Sequence, residues 1–311
     1  MFILNAGITG ILPKAFRPVL GTLASIPVQN LIRRIKRQWE DLFQERLALI
    51  QNPKSEKDPQ DLMQMMFRYA QENCPDELNL DDMTRRLCIL DVGTFHQASI
   101  AITNAIFDIV TSDGEYNTIA TLREEFSTVL ATNGNNWTRL AISQMIKADS
   151  ICRETLRVNA FANRSVFKQV MVDGLRTEDG ILLPKGALLS VLASPVHSDG
   201  DLFKDPEKFD PYRFSRIRED KTLDSKEKAN LTAVSTGPQF LPFGHGKNAC
   251  PGRFFFDFEF KMIMAYLVTN YDIELPVEYG GNRPESKWIS EAKMPPTEGK
   301  LKVKRRKQVA S

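Results

Sequence analysis

The sequence predicts a mainly α protein carrying small β-sheets, and three observations lead to that class. A helical period runs without a break over residues 79–111, and a second helix, apolar almost all round, follows Pro251. Between residues 166 and 194 lie short β-like runs punctuated by glycine and proline. With 311 residues and 42% hydrophobic content, the chain can bury a sizeable core. Its 41 Lys and Arg nearly balance 39 Asp and Glu, which argues against a nucleic-acid partner bound through a general basic field. The basic run KLKVKRRK, residues 300–307, reads as a solvated terminus.

The opening MFILNAGITGILPKAF lacks a basic n-region and is interrupted by Asn5, Gly7 and Gly10, so it makes a poor signal peptide. No stretch reaches the ~20 apolar residues of a transmembrane anchor. In PVQNLIRRIKRQWEDLF, residues 27–43, Leu31, Ile32, Ile35, Trp39 and Leu42 recur at helical spacing beside Arg33, Arg34, Lys36 and Arg37. That is a basic amphipathic helix, expected to pack on the core, with peripheral membrane contact through residues 1–43 as the alternative. A polar break with Pro53 and Pro59 follows, then a helix from Asp61 to Glu72.

The long period starts at cap candidates around Asn79 and stops at Ser112, Asp113 and Gly114. At ~1.5 Å per residue, a helix of about 30 residues crosses a whole domain and is expected to be central. Its middle, Gly93-Thr94-Phe95-His96-Gln97-Ala98-Ser99, puts small and polar residues where a buried helix prefers large aliphatics. Either something approaches this helix closely or neighbours satisfy a polar cluster. Helices over 118–130 and 138–157 come next. Glu154 and Arg157 share a face of the latter, and as a surface pair they would contribute only ~0.2–0.5 kcal/mol. VFKQVMVDG and ILLPKGALLSVLAS read as a small sheet, and residues 205 to 238 as an irregular segment.

The stretch FGHGKNACPGRFF, residues 243–255, sets one cysteine among three glycines. Cysteines 74, 88, 152 and 250 form no CxxC pair and only three histidines accompany them, so neither a zinc cage nor a disulfide framework has support. Three of the four read as small core residues. Cys250 sits at the entrance of the last helix, where backbone N–H groups and the helix dipole favour a thiolate. Gly244, Gly246 and Gly252 permit positive φ and the close approach of a flat ligand. A buried thiolate needs a positive partner, and a metal ion is the strongest one.

Phe243-x-x-Gly246-x-x-x-Cys250-x-Gly252 resembles the haem-binding loop of the cytochrome P-450 superfamily, the haem-thiolate monooxygenases, and is most similar to fungal members. Glu154-x-x-Arg157 and Phe209-x-Pro211-x-Arg213-Phe214 precede it in the family's order. The resemblance implies the C-terminal part of the P-450 fold, with Glu154, Arg157 and Arg213 as a buried structural triad. It makes Cys250 the axial thiolate of haem b, whose electron donation favours O–O cleavage. Phe243, Gly246 and Gly252 then surround the cofactor, and Arg164 meets a propionate in place of the basic residue that Asn248 replaces. The family's small-small-x-acid-Thr pattern falls on Gly93 to Gln97, assigning proton delivery to His96, Gln97 and Ser99.

By the same resemblance the reaction is monooxygenation of an apolar small molecule, a fungal secondary metabolite such as a terpenoid. It uses O2 and electrons from an NADPH-cytochrome reductase at the cytosolic face of the endoplasmic reticulum membrane. Residues 1–311 are expected to form a single catalytic domain without the family's N-terminal anchor and early helices, as a truncated gene model or a natural fragment. Two alternatives stand beside this reading. Gln97, where the family usually has Thr, fits a haem protein with non-oxygenase chemistry, and the short N-terminal side fits a non-catalytic remnant.

Overall fold

The helical periods on either side of the polar break appear as three helices in the computed structural model, which describes residues 17–51 and 59–307; most of the break itself, 52–58, lies outside the described residues. Helix α1 (Arg17–Gln51) starts ahead of the amphipathic stretch and contains Pro27; residues 1–16 lie outside the described residues. Helix α2 (Leu62–Asn73) is capped by Asp61, whose carboxylate accepts the Gln64 amide at 2.9 Å. Helix α3 (Leu80–Asp91) is capped by Asn79, which accepts the Asp82 amide at 3.0 Å. The chain divides into two compact units between Phe95 and His96, and these three helices belong to the first. Its core is Phe43, Ile50, Phe67, Ala70 and Met83, with the Phe43 and Phe67 rings edge to face at 5.1 Å. Helix α1 therefore packs on a core as expected, while Arg33, Arg34 and Arg37 stay exposed.

The single long helix needs correction in two places. After α3 the chain makes a π-helical turn, Val92–His96, before α4 (Gln97–Tyr116) resumes the α form. The stop at Ser112, Asp113 and Gly114 does not occur either. Ser112 Oγ donates back to Ile109 O at 3.1 Å, and Asp113 Oδ1 accepts the Ile119 amide of the next helix at 2.7 Å. These side chains thus serve the neighbouring turns, and the helix ends at Asn117 with φ 51°.

In the second unit α4, α5 (Thr118–Thr132), α6 (Arg139–Gln144), α7 (Ile146–Val158) and α11 (Arg253–Asn270) enclose one core that includes Ala105, Ile109, Leu122, Phe126, Ile151, Phe260 and Met264. The helix expected over 138–157 breaks at buried Met145, because Glu125 of α5 caps α7 from outside. Its carboxylate accepts the Lys147 and Ala148 amides at 2.6 and 2.8 Å. Strands β1 (Arg164–Gln169) and β2 (Leu188–Leu192) pair antiparallel as read from the sequence. Short helix α8 (Ala193–His197) takes up the end of a run that the sequence reads as β, whereas α9 (Arg213–Glu219) and α10 (Ser225–Ala229) punctuate the segment that lacked periodicity. Strand β3 (Tyr271–Glu274) pairs with β6 (Lys302–Arg305), and β4 (Lys287–Ile289) with β5 (Ala292–Met294).

Helix α11 is not buried all round. Phe260, Met264 and Val268, four residues apart, face the core, while Phe254, Phe255 and Tyr266 are more than half exposed. Composition marked this helix as apolar, but only the face with packing partners is covered. Among the described residues no helix is long and apolar enough to cross a membrane.

A Cβ built at Gly299 would lie 2.6 Å from Phe107 Cζ and 2.9 Å from Pro296 Cβ, and Phe107 is itself buried. Gly299→Ala is therefore expected to lower stability by about 1–3 kcal/mol. Urea unfolding checks this, and an unchanged midpoint would refute it.

Candidate functional site

Helix α7 presents Glu154 and Arg157 on one face, as their spacing predicts, but that face is interior: the side chains are 0% and 1% exposed. Arg157 forks onto the carboxylate, Nε to Oε2 and Nη2 to Oε1, both at 2.8 Å. Arg213 Nε reaches the same Oε1 at 2.9 Å, and the Asp210 amide adds a contact at 3.2 Å. Spare guanidinium donors serve main-chain carbonyls. Arg157 Nη1 donates to His197 O at 2.6 Å and Pro206 O at 2.7 Å, and Arg213 donates to Lys204 O and Lys208 O. One carboxylate thereby joins α7, the end of α8, the coil from 204 to 210 and the start of α9. A surface pair would have meant little; this buried group joins four segments of chain.

A second buried charge group lies on the same helix. Asp149 Oδ1 accepts Lys261 Nζ of α11 at 2.8 Å, and Oδ2 accepts Arg218 Nη1 at 2.5 Å and the Ala233 amide at 3.0 Å. Arg153 donates to Thr232 O at 2.6 Å and lies over the Phe240 ring at 3.7 Å. Arg253 donates to Val234 O at 3.0 Å and to Cys250 O at 2.6 Å. Side chains thus fix the stretch leading into the cysteine loop, which has no ladder of its own.

The loop is closed by its own backbone. The Gly244 amide donates to Leu241 O at 3.0 Å, the Ala249 amide to Gly246 O at 3.1 Å, and the Cys250 amide to Phe243 O at 2.8 Å. Gly244 (φ 69°) and Gly246 (φ 73°) take the left-handed conformation that the sequence called for. Gly252 does not: it is the cap of α11 at φ −71°, and a Cβ there would meet Cys250 Sγ at 3.7 Å, an ordinary contact. The Phe243 ring packs against Phe256 at 5.8 Å and joins the core. Cys250 is exposed, Cys74 and Cys88 are half-buried, and Cys152 is buried with its thiol pushed well up by desolvation. Of the three expected in the core, Cys152 is a core residue, Cys74 packs at the edge of the first unit's core and Cys88 joins neither cluster, while Cys250 is displayed.

This arrangement fits haem. A Cβ built at Gly246 meets nothing within 4 Å, so a planar ligand can approach the backbone beside the thiol. Among the described residues no group of three or more His, Cys, Asp or Glu side chains could hold a metal ion. His96, Gln97 and Ser99 are exposed at the start of α4, where the π turn gives way to α-helix. His96 and Ser99 are three apart and share a face, whereas Gln97 points about 100° away. Arg164 is held by Glu291, with Nε and Nη2 on its two carboxylate oxygens at 3.0 and 2.9 Å.

Sequence reading passed over His197, although it is one of only three histidines in the chain. It is 1% exposed, and its Nε2 accepts the Leu241 amide at 2.9 Å. Burial, with Arg157 and Arg153 nearby, lowers its pKa from 6.5 to about 4. A base whose folded pKa is depressed binds fewer protons folded than unfolded. The stability it permits is therefore complete above pH 6.5 and is lost as pH falls toward about 4. Asp108 works in the opposite sense, since burial raises its pKa to about 6.

Two outcomes follow. Glu154→Gln leaves two guanidiniums without their carboxylate and is expected to cost about 3–5 kcal/mol in urea unfolding; a loss below 1 kcal/mol would contradict that. His197→Gln, which cannot take up a proton, is expected to flatten the fall in melting temperature between pH 6.5 and about 4. An unaltered pH profile would show that another group carries it.

The family model for Cytochrome P-450 matches residues 15–303. The chain is 47% identical to the cytochrome P-450 monooxygenase pbrC of Penicillium brasilianum, over 97% of this chain and 58% of that protein. It is 45% identical to astC of Aspergillus terreus, over 97% and 58%, and 43% identical to tenB of Beauveria bassiana, over 95% and 56%. Both of these are also cytochrome P-450 monooxygenases, and the chain spans less than two thirds of each of the three relatives. With the cysteine loop, the buried Glu154 group and these matches in agreement, the chain belongs to the cytochrome P-450 family.

Proposed function

We propose that this protein is a haem-thiolate monooxygenase in which Cys250 Sγ is the axial ligand and residues 1–311 belong to one catalytic domain. The observation that carries the reading is the exposed thiol on an internally hydrogen-bonded loop built on two positive-φ glycines. The monooxygenase names of its fungal relatives support the reaction class. Phe243, Gly246 and Gly252 flank the thiol, and Arg164, once released by Glu291, is the cation for a propionate. Bound haem supplies the activation of dioxygen.

The chain's own groups hold and move protons. His96 and Ser99 offer an imidazole and a hydroxyl on one face of α4. Gln97 has a carboxamide with no transferable proton, so its part is to orient a water through Oε1 and Nε2. The substrate is an apolar small molecule, a fungal secondary metabolite such as a terpenoid, a class the fungal origin of the relatives supports. Electrons come from an NADPH-cytochrome reductase at the endoplasmic reticulum membrane, and exposed Arg33, Arg34 and Arg37 on α1 support contact with an anionic bilayer surface.

The difference spectrum of the reduced, carbon monoxide-bound protein is the direct test. A strongly red-shifted Soret band in the wild type that vanishes in Cys250→Ala is the expected result, and its absence from folded wild type would reject the reading. Gln97→Thr is expected to raise the fraction of NADPH consumption that ends in product. Turnover unaffected by that change would favour haem chemistry other than oxygenation.

A further inference from the structure

The peptide of Leu241 is gripped on both sides just ahead of the cysteine loop. Its carbonyl accepts Ser165 Oγ of β1 at 3.1 Å and the Gly244 amide at 3.0 Å, while its amide donates to His197 Nε2 at 2.9 Å. A main-chain amide can only donate, so Nε2 carries the lone pair and the ring is neutral with its proton on Nδ1. The carbonyl of the same histidine accepts Arg157 Nη1 at 2.6 Å. The ring also lies against Phe240, tilted by 37° with centroids 5.8 Å apart, one residue before the amide it holds. A short series of hydrogen bonds therefore leads from Glu154 through Arg157, His197 and Leu241 to Gly244, which follows Phe243, whose carbonyl accepts the Cys250 amide at 2.8 Å.

We propose that His197 is a positioning residue that ties the cysteine loop to the buried Glu154 group, its Nε2 holding the Leu241 amide so that Cys250 is presented in a fixed orientation. The proposal rests on the haem-thiolate reading only for what the thiol then binds. Two features separate this from simple filling of space. The acceptor is a single ring nitrogen aimed at one amide, and the main chain of the same residue is held by the guanidinium that completes the Glu154 group. Neutrality matters as well: a protonated ring would point an N–H at an N–H, and the folded environment keeps the ring neutral down to about pH 4.

Two substitutions at position 197 in the full chain decide it. His197→Gln places Oε1 near the site of Nε2 and keeps an acceptor, whereas His197→Leu keeps volume and removes it. Hydrogen exchange across residues 240–250 is measured in both, beside the Soret band of the reduced carbon monoxide complex, with Cys250→Ala as control. The Leu variant is expected to exchange about tenfold faster in that segment, with residues 146–158 unchanged, and to lose red-shifted Soret intensity. The Gln variant is expected to match the wild type. A Leu variant too unstable to measure, beside a wild-type-like Gln variant, counts with the expected result. Wild-type behaviour of the Leu variant overturns the proposal, as does equal failure of both, which would make the imidazole ring itself, and not its acceptor, the requirement. A wild type without the red-shifted band rejects the haem-thiolate reading alone, because hydrogen exchange still reports whether His197 holds the loop.

Discussion

Everything around the cysteine loop depends on one carboxylate that is fully buried and doubly neutralised. Glu154 is tolerable in the interior because Arg157 and Arg213 occupy both of its oxygens, and those guanidiniums are tolerable because their remaining donors find main-chain carbonyls. The dependence also runs the other way. The coil from 198 to 212 has no strand partner for its carbonyls at Lys204, Asp205, Pro206 and Lys208, so the arginines stand in for a sheet. Removing the charge would release the coil, and removing the coil would strand the charge. Such mutual dependence gives an irregular segment one conformation without any periodicity in its sequence.

The same device recurs at Asp149, which binds Lys261 and Arg218 and takes the Ala233 amide, while Arg153 and Arg253 tether the residues after it. Helix α7 thus carries two buried acids five residues apart, each tying a different piece of aperiodic chain to the helical core. The energetic advantage over an apolar interior is small or absent for groups of this kind. What they provide is register. A coil that slid by one residue would leave charges buried without partners, at a cost that hydrophobic contacts do not impose.

How much of this was legible follows from the range of each interaction. Asn79 was readable as a cap because a cap acts over three residues. Positive φ at Gly244 and Gly246 was readable because few other residues allow it. Glu154 and Arg157 were visibly on one face, yet their burial was not, since the groups that bury them lie 40 to 59 residues further on. The break at Met145 was hidden for a related reason: Glu125 caps α7 from a different helix. His197 had no spacing to betray it, because its partner is a backbone amide 44 residues away. The cytochrome P-450 resemblance supplied the triad's role, and only coordinates supply the histidine that joins it to the loop.

The loop and the start of α4 contrast in their backbone: one is closed by its own hydrogen bonds, and the other follows a departure from the α-helical pattern. In the loop, three backbone hydrogen bonds and two left-handed glycines fix the path of the chain around Cys250. At Val92–His96 the backbone instead leaves the α-helical pattern, a feature seen mostly as single turns and frequently at functional sites. The polar residues there were odd for a buried helix, and among the described residues Phe95, His96, Gln97 and Ser99 are exposed. The loop thus takes its shape from left-handed glycines and its own hydrogen bonds, and the turn at Val92–His96 takes its shape by leaving the α-helical pattern.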